Sequence, residues 1–180
     1  MKIHSRLTSI ATLLTLALST GAESVTSPDG RLIVTVDAEG GIPAYSVSYD
    51  GAEIIRRSPL GFKSNIGDFS SDMTLTGSKS GTVNKSFDQD KLKKSHIDYN
   101  ANTLATTFKN TKGGKMKVEW QVADNDIAFR YIIPAQGESR SMVVESEATG
   151  YRFPEETTVF MTPQSDPLIG RKRTKPSYEQ

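Results

Sequence analysis

Residues 45–55 read Tyr45-Ser46-Val47-Ser48-Tyr49-Asp50-Gly51-Ala52-Glu53-Ile54-Ile55, and this stretch decides the fold class. Large apolar residues alternate with serine up to Tyr49, the mark of a strand with one face in a core. Asp-Gly then separates that run from a second one. The pair suits a two-residue hairpin turn, because both central positions need positive φ and these residues supply it cheaply. Working outward, Arg31 to Val36 reads as a strand entered through the turn Ser27-Pro28-Asp29-Gly30. The Ser-, Asp- and Gly-rich stretch 67–81 reads as a loop holding a short strand near Met73-Thr74-Leu75, and Lys91 to Lys94 as a solvated connection. Strands are expected over Ser95 to Tyr99 and Thr103 to Lys109, with Asn100-Ala101-Asn102 turning between them. The turn Asn110 to Gly114 leads into Lys115 to Val122, which places Met116, Val118, Trp120 and Val122 on one face. Asp124-Asn125-Asp126 turns into Ile127 to Ile133, closed by Pro134, and residues 140–149 and 157–161 supply the last two candidates. Short strands separated by turn signals, with no sustained helical period, predict an all-β fold of antiparallel sheets packed as a sandwich. Tyr45, Tyr49, Phe108, Phe129 and Tyr131 join the β-face residues just named as the expected inner lining.

The chain has 180 residues, 36% of them hydrophobic, which suits one domain or a piece of a larger one. With 22 Lys+Arg against 21 Asp+Glu, it lacks the basic excess of a nucleic-acid binder. It has no cysteine, which excludes disulfides, thiolate metal sites and a cysteine nucleophile. Residues 1–22 have the three regions of a secretory signal peptide: charged Lys2, His4 and Arg6, an apolar run from Leu7 to Leu18, and small residues Ser19 to Ala22. The apolar run is too short to span a bilayer core of about 30 Å. Cleavage is expected after Ala22, with export to the periplasm or the extracellular space and no membrane association afterwards. The mature domain then runs over 23–180, with 20 basic residues against 21 acidic ones once Lys2 and Arg6 are gone.

Groups able to carry acid–base chemistry are scarce. The one mature histidine, His96, sits at a strand start and reads as a surface or edge residue. Gly77-Ser78-Lys79-Ser80-Gly81 has Lys79 where a nucleophile elbow needs serine, and Gly113-Gly114-Lys115 lacks the upstream glycine of a phosphate loop. Both read more simply as hairpin turns. Asp88-Gln89-Asp90 starts like a calcium loop, and Lys91-Leu92 breaks it. Asn84-Lys85-Ser86 is formally a glycosylation sequon. Arg171-Lys172-Arg173 reads as a solvated loop. Glu155-Glu156 are neighbours on an extended chain, so their carboxylates diverge rather than face each other across a sugar. Glu179 is a lone carboxylate in Lys175-Pro176-Ser177-Tyr178-Glu179, and hard cations take oxygen ligands of that kind.

The order of these pieces resembles the N-terminal domain of glycoside hydrolase family 97. The resemblance rests on Ser27-Pro28-Asp29-Gly30-Arg31-Leu32, Tyr45 to Gly51, Ser58-Pro59-Leu60-Gly61, Asp126-Ile127-Ala128-Phe129-Arg130-Tyr131 with Pro134, and Lys175 to Glu179. It implies a β-super-sandwich like the carbohydrate-binding domain of sugar mutarotases, incomplete here because the family's sandwich continues beyond residue 180. It also implies a following (β/α)₈ barrel that carries the catalytic carboxylates. Calcium is the implied cofactor, with Glu179 as one ligand, and an oligosaccharide, α-glucoside or α-galactoside is the implied substrate. On that reading the chain has no catalytic residue and is inactive alone; it packs on the barrel and completes the sugar site, and Glu119 and Arg130 are structural. Two other readings stay open: a free-standing carbohydrate-binding module, which needs an exposed aromatic platform, and an adhesion or structural domain with no ligand.

Overall fold

The structure, a computed structural model, describes residues 21–88, 95–135 and 141–160. It holds eleven strands: β1 (Glu23–Thr26), β2 (Leu32–Asp37), β3 (Ala44–Tyr49), β4 (Ala52–Pro59), β5 (Phe62–Ser64), β6 (Gly67–Asp68), β7 (Met73–Asp88), β8 (His96–Asn110), β9 (Lys115–Val122), β10 (Ile127–Ile132) and β11 (Val144–Glu147). They form a four-stranded sheet in the order β1-β2-β3-β4, a second in the order β10-β9-β8-β7, and a small sheet β11-β5-β6. Every strand pair is antiparallel. The expected all-β class is what the chain adopts.

The two larger sheets face each other through period-2 side chains. Val34, Val36, Tyr45 and Val47 come from the first sheet; Leu104, Phe108, Met116, Val118, Trp120 and Val122 come from the second, and all lie in one buried cluster. Trp120 is fully buried, with its ring 5.2 Å from Tyr45 and 4.7 Å from Phe129. Phe62 of β5 and Phe69 behind β6 extend the same core. The hairpin at Asp50-Gly51 has positive φ at both residues, 49° and 79°, as its sequence requires.

Four local expectations are corrected. The stretch from Met73 to Gly81 is not a loop with a short strand but the first half of the 16-residue β7, and Gly77 to Gly81 is mid-strand rather than a turn. Asn100-Ala101-Asn102 does not turn: β8 runs through it, pairing Asn100 with Asn84 and Asn102 with Thr82. Only Val144–Glu147 of the 140–149 candidate forms a strand. Residues 157–160 form none; Thr157 N–H instead closes a turn onto the Pro154 carbonyl at 3.1 Å. Lys91 to Lys94 and the Arg171 cluster lie outside the described residues.

Candidate functional site: the face built on residues 141–160

After β11 the chain crosses β5 and the edge of β4, and backbone groups tie it down. Ala148 N–H donates to the Gly61 carbonyl at 2.9 Å, Gly150 N–H to Pro59 at 3.0 Å, and Arg56 N–H to Arg152 at 2.7 Å. Side chains reinforce the crossing. The Tyr45 hydroxyl donates to the Gly150 carbonyl at 3.2 Å, and Arg152 N–H donates to Ser58 Oγ at 2.8 Å. Tyr131 Oη accepts the Gly61 N–H at 2.9 Å and shares a 2.6 Å hydrogen bond with Thr149 Oγ1, so one phenol joins the second sheet to both the β4–β5 link and the segment after β11. Burial raises the pKa of Tyr131, and that of Tyr45 further, so both phenols stay neutral. Glycine is required at position 61 and fits tightly at position 150. Gly61 has φ 111°, and a Cβ there would meet the Phe69 carbonyl oxygen at 2.2 Å; at Gly150 a Cβ would press on the Pro59 ring at 3.1 Å.

The outward surface of this segment mixes exposed apolar side chains with exposed Glu145, Glu147, Arg152, Glu155 and Glu156. Val143, Val144, Tyr151, Phe153, Val159 and Phe160 are six of the nine exposed large hydrophobic residues among those described, and Phe160 is 99% exposed. Tyr151 is braced from behind by an edge-on contact with Tyr45 at 6.4 Å. Arg56 lies 3.6 Å from Glu155, and the Arg152 guanidinium donates to the Arg57 carbonyl at 3.3 Å, so charge is present at the margin of the patch. Such a face can bury apolar surface or stack on a flat ring. It holds no acid–base pair facing across a gap.

The residues singled out from sequence fall elsewhere. Glu179 lies outside the described residues. His96 is exposed near the end of β7–β8, with Nδ1 2.7 Å from Asp88 and Nε2 3.1 Å from Asp98. Trp120 is wholly inside, so it is not a sugar platform. Glu119 is held by Lys117 at 2.7 Å and Arg130 at 2.7 Å on the second sheet's outer face, and these two cations, Lys117 first, lower its pKa. Among the described residues no group of three or more His, Asp or Glu could hold a metal ion. The described part therefore does not amount to a calcium cage, and a lone carboxylate at 179 needs further oxygen ligands from elsewhere. A cavity of 590 Å³ lies beside Asp37, Glu39, Gly40, Met73 and Leu75. Its best acid, Asp37, is committed to Arg57, whose guanidinium also donates to the Glu39 and Ile42 carbonyls at 3.0 and 3.1 Å and so pins the 39–42 turn. Sequence reasoning missed the Arg57 and Tyr131 networks. Neither has a local signature, because the partners lie far away in sequence.

A profile of the family described as Glycosyl-hydrolase 97 N-terminal matches residues 25–180. Among solved structures, a β-arabinopyranosidase is similar at 45% identity and a TM-score of 0.81, over 88% of this chain and 25% of that one. A family 97 glycoside hydrolase variant from Pseudoalteromonas sp. strain K8, in complex with panose, is similar at 25% identity and a TM-score of 0.69, over 74% of this chain and 20% of that one. Among curated proteins, a probable retaining α-galactosidase of Streptomyces bingchenggensis (strain BCW-1) is 24% identical over 136 residues, 73% of this chain and 21% of the relative. The chain thus spans a fifth to a quarter of the length of the proteins it matches. With the profile match covering nearly all of the chain after the signal-like region, and the sandwich that it predicts in place, the chain belongs to glycoside hydrolase family 97 as that family's N-terminal domain.

Proposed function

We propose that this domain serves an exported exo-acting glycosidase, packing its 141–160 face on the catalytic part of a longer polypeptide and so helping to shape the sugar site. The observation that carries this is the concentration on one segment of six of the nine exposed large hydrophobic residues among those described. A lone domain gains nothing from such a patch, whereas a tethered neighbour would bury it. On this reading hydrolysis belongs to the remainder of the protein, and the domain alone is inactive.

The substrate reading is a terminal glycoside. The panose complex supports an α-glucoside. The higher identity to a β-arabinopyranosidase, together with the curated α-galactosidase, favours a galactose-configured ring. The two sugars agree in chemistry, because β-L-arabinopyranose matches α-D-galactopyranose at each ring centre and lacks only the exocyclic carbon. Glu179 is the residue proposed to ligate calcium, together with oxygen ligands beyond this chain.

Assaying the full-length polypeptide on nitrophenyl α-D-galactoside, β-L-arabinopyranoside and α-D-glucoside tests the reading, with the first two expected to be cleaved faster. Cleavage of none of them would sink it. For the metal, calcium should raise the melting temperature of the full-length protein over that in chelator, since a native-state ligand stabilises by mass action. Glu179→Gln should shrink that difference; an unchanged difference would remove Glu179 from the ligand set.

A further inference from the structure

β7 and β8 run past the sheet that contains them. β9 stops pairing with β8 at Val122 opposite Asn102, but β7 stays paired with β8 to Asp88 opposite His96. Residues 83–88 and 96–101 therefore form a two-stranded arm with no third strand among the described residues.

The register gives the arm two unlike faces. No irregularity interrupts β8 in either pairing from Asn102 outward, so side chains alternate strictly. Leu104, Thr106 and Phe108 face the sandwich core and are buried. The even-numbered series continues along the arm as Asn100, Asp98 and His96, opposite Asn84, Ser86 and Asp88, all polar. This side is cross-linked: Ser86 Oγ donates to Asp98 at 2.7 Å, and His96 lies between Asp88 and Asp98. The opposite side carries Val83 against Ala101, Lys85 against Tyr99, and Phe87 against Ile97. Along β8, burial thus changes sides between Leu104 and Ala101. Nearer the centre of the sheet that second side is polar, with Lys117, Glu119 and Arg130 in ion pairs. Phe87 is 45% exposed, and Val83, Ile97 and Tyr99 are only half-buried and outside the core cluster.

An isolated two-stranded ribbon is marginal in water, and this one has a mainly apolar face, interrupted by Lys85, on the side opposite the sandwich core. Its own domain meets that face near the base, where Ala101 is buried and the Tyr99 hydroxyl lies 3.5 Å from Asp126, and leaves it open towards Phe87. We propose that this face, Val83, Phe87, Ile97 and Tyr99, is a second docking surface, covered by an apolar surface of the same polypeptide outside this domain. The size of the patch selects that occupant. Four partly exposed side chains offer roughly a few hundred Å², well below the ~1,200 Å² that a stable untethered interface buries. A tethered partner needs far less, because the linker raises its effective concentration. The relatives carry three-quarters or more of their length outside the matched segment, so such a partner is available. The inference rests on the proposed longer enzyme and adds a contact distinct from the 141–160 face.

Hydrogen exchange on the full-length protein tests it. Peptides covering 83–88 and 96–101 should exchange about a hundredfold more slowly than those of the exposed turn 110–114, as protected elements do. Phe87→Ser with Ile97→Ser should abolish that protection and Phe87→Leu should keep it, with cleavage of a nitrophenyl glycoside within twofold of the parent. Peptides from β9 report whether the sandwich survives; if the double variant loses them too, Phe87→Thr alone gives the reading. Exchange of the arm within seconds in the parent overturns the proposal. Protection that survives loss of Phe87 and Ile97 also overturns it, since pairing would then run along the strand edge. Protection lost on dilution overturns it in favour of a second copy. An enzyme that cleaves no glycoside would refute the proposed function and leave the exchange result readable.

Discussion

Trp120 shows how a single residue can be both central and imperfect. Its indole fills the space between Tyr45 and Phe129, yet among the described residues its Nε1 has no hydrogen-bond partner. A buried donor without a partner costs free energy that the ring's burial must offset. Trp120→Phe therefore gives up volume and an unsatisfied donor together. It should cost about 1–2 kcal/mol, whereas Trp120→Ala leaves a cavity and should cost about 3–5 kcal/mol, both read from urea midpoints. A phenylalanine variant as damaged as the alanine one would mean that the indole N–H is satisfied. Glu119 illustrates the opposite case, an acid fully provided for. Lys117 and Arg130 depress its pKa, so its contribution to stability is complete above the ordinary carboxylate value of 4.5 and is lost as pH falls through the lower folded value. Glu119→Gln should lower the neutral plateau of the stability–pH curve slightly, because exposed ion pairs contribute little, and flatten the acid limb below about pH 4.5 by the same small amount, leaving stability at the acid end unchanged. An unaltered acid limb would show that the trio is not coupled to folding.

Elements meet through a few hydroxyls, and Tyr131 of β10 is the most consequential. Its oxygen is the acceptor for the Gly61 N–H and the partner of Thr149, at a place where Gly61 cannot be replaced without striking the Phe69 carbonyl. Tyr131→Phe should destabilise by about 1–3 kcal/mol, the cost of stranding a part-buried N–H. The same change should speed proteolysis within 141–160 before the sandwich unfolds; simultaneous loss of both would show that the segment has no independent opening. None of this network was legible in the sequence. The Asp50-Gly51 hairpin was, because its turn chemistry is local and its flanking alternation faces a core. β9 was legible for the same reason, one face packed and one wet. β7 was not: from Thr74 to Asp88 every residue is exposed or half-buried, so no hydrophobic period marks it, and its glycines and serines imitate a loop. Asn100 and Asn102 imitated a turn, yet Asn102 turns its amide to the Thr26 carbonyl at 2.7 Å and joins β8 to β1. Turn-forming residue types were read correctly as polar and wrongly as bends. Glu179 was reached only through resemblance, since a lone carboxylate has no spacing to read.

At the scale of the whole molecule, two apolar surfaces remain after the core is closed: the 141–160 face and the arm. On the proposed reading, two separate points of contact would fix the orientation of this domain against its neighbour, which a single patch would not. The relatives have room for such a neighbour, since three-quarters or more of their length lies outside the matched segment. The larger face permits a test in which one set of substitutions has opposite effects in two settings. Tyr151, Phe153 and Phe160 lie outside the core cluster, and of the three substitutions Tyr151→Ser, Phe153→Ser and Phe160→Ser only the first removes a recorded contact with it, the edge-on packing on Tyr45. In the 180-residue chain they remove an exposed sticky patch and should reduce self-association, measured by light scattering at rising concentration. If the face is docked as proposed, in the full-length polypeptide they remove a buried contact worth about 1.5–3 kcal/mol per fully covered side chain. There they should split one calorimetric transition into two and raise KM for a nitrophenyl glycoside. If the triple variant leaves a single transition in the full-length protein, the face is ordinary surface, and the orientation of this domain must be fixed by other contacts.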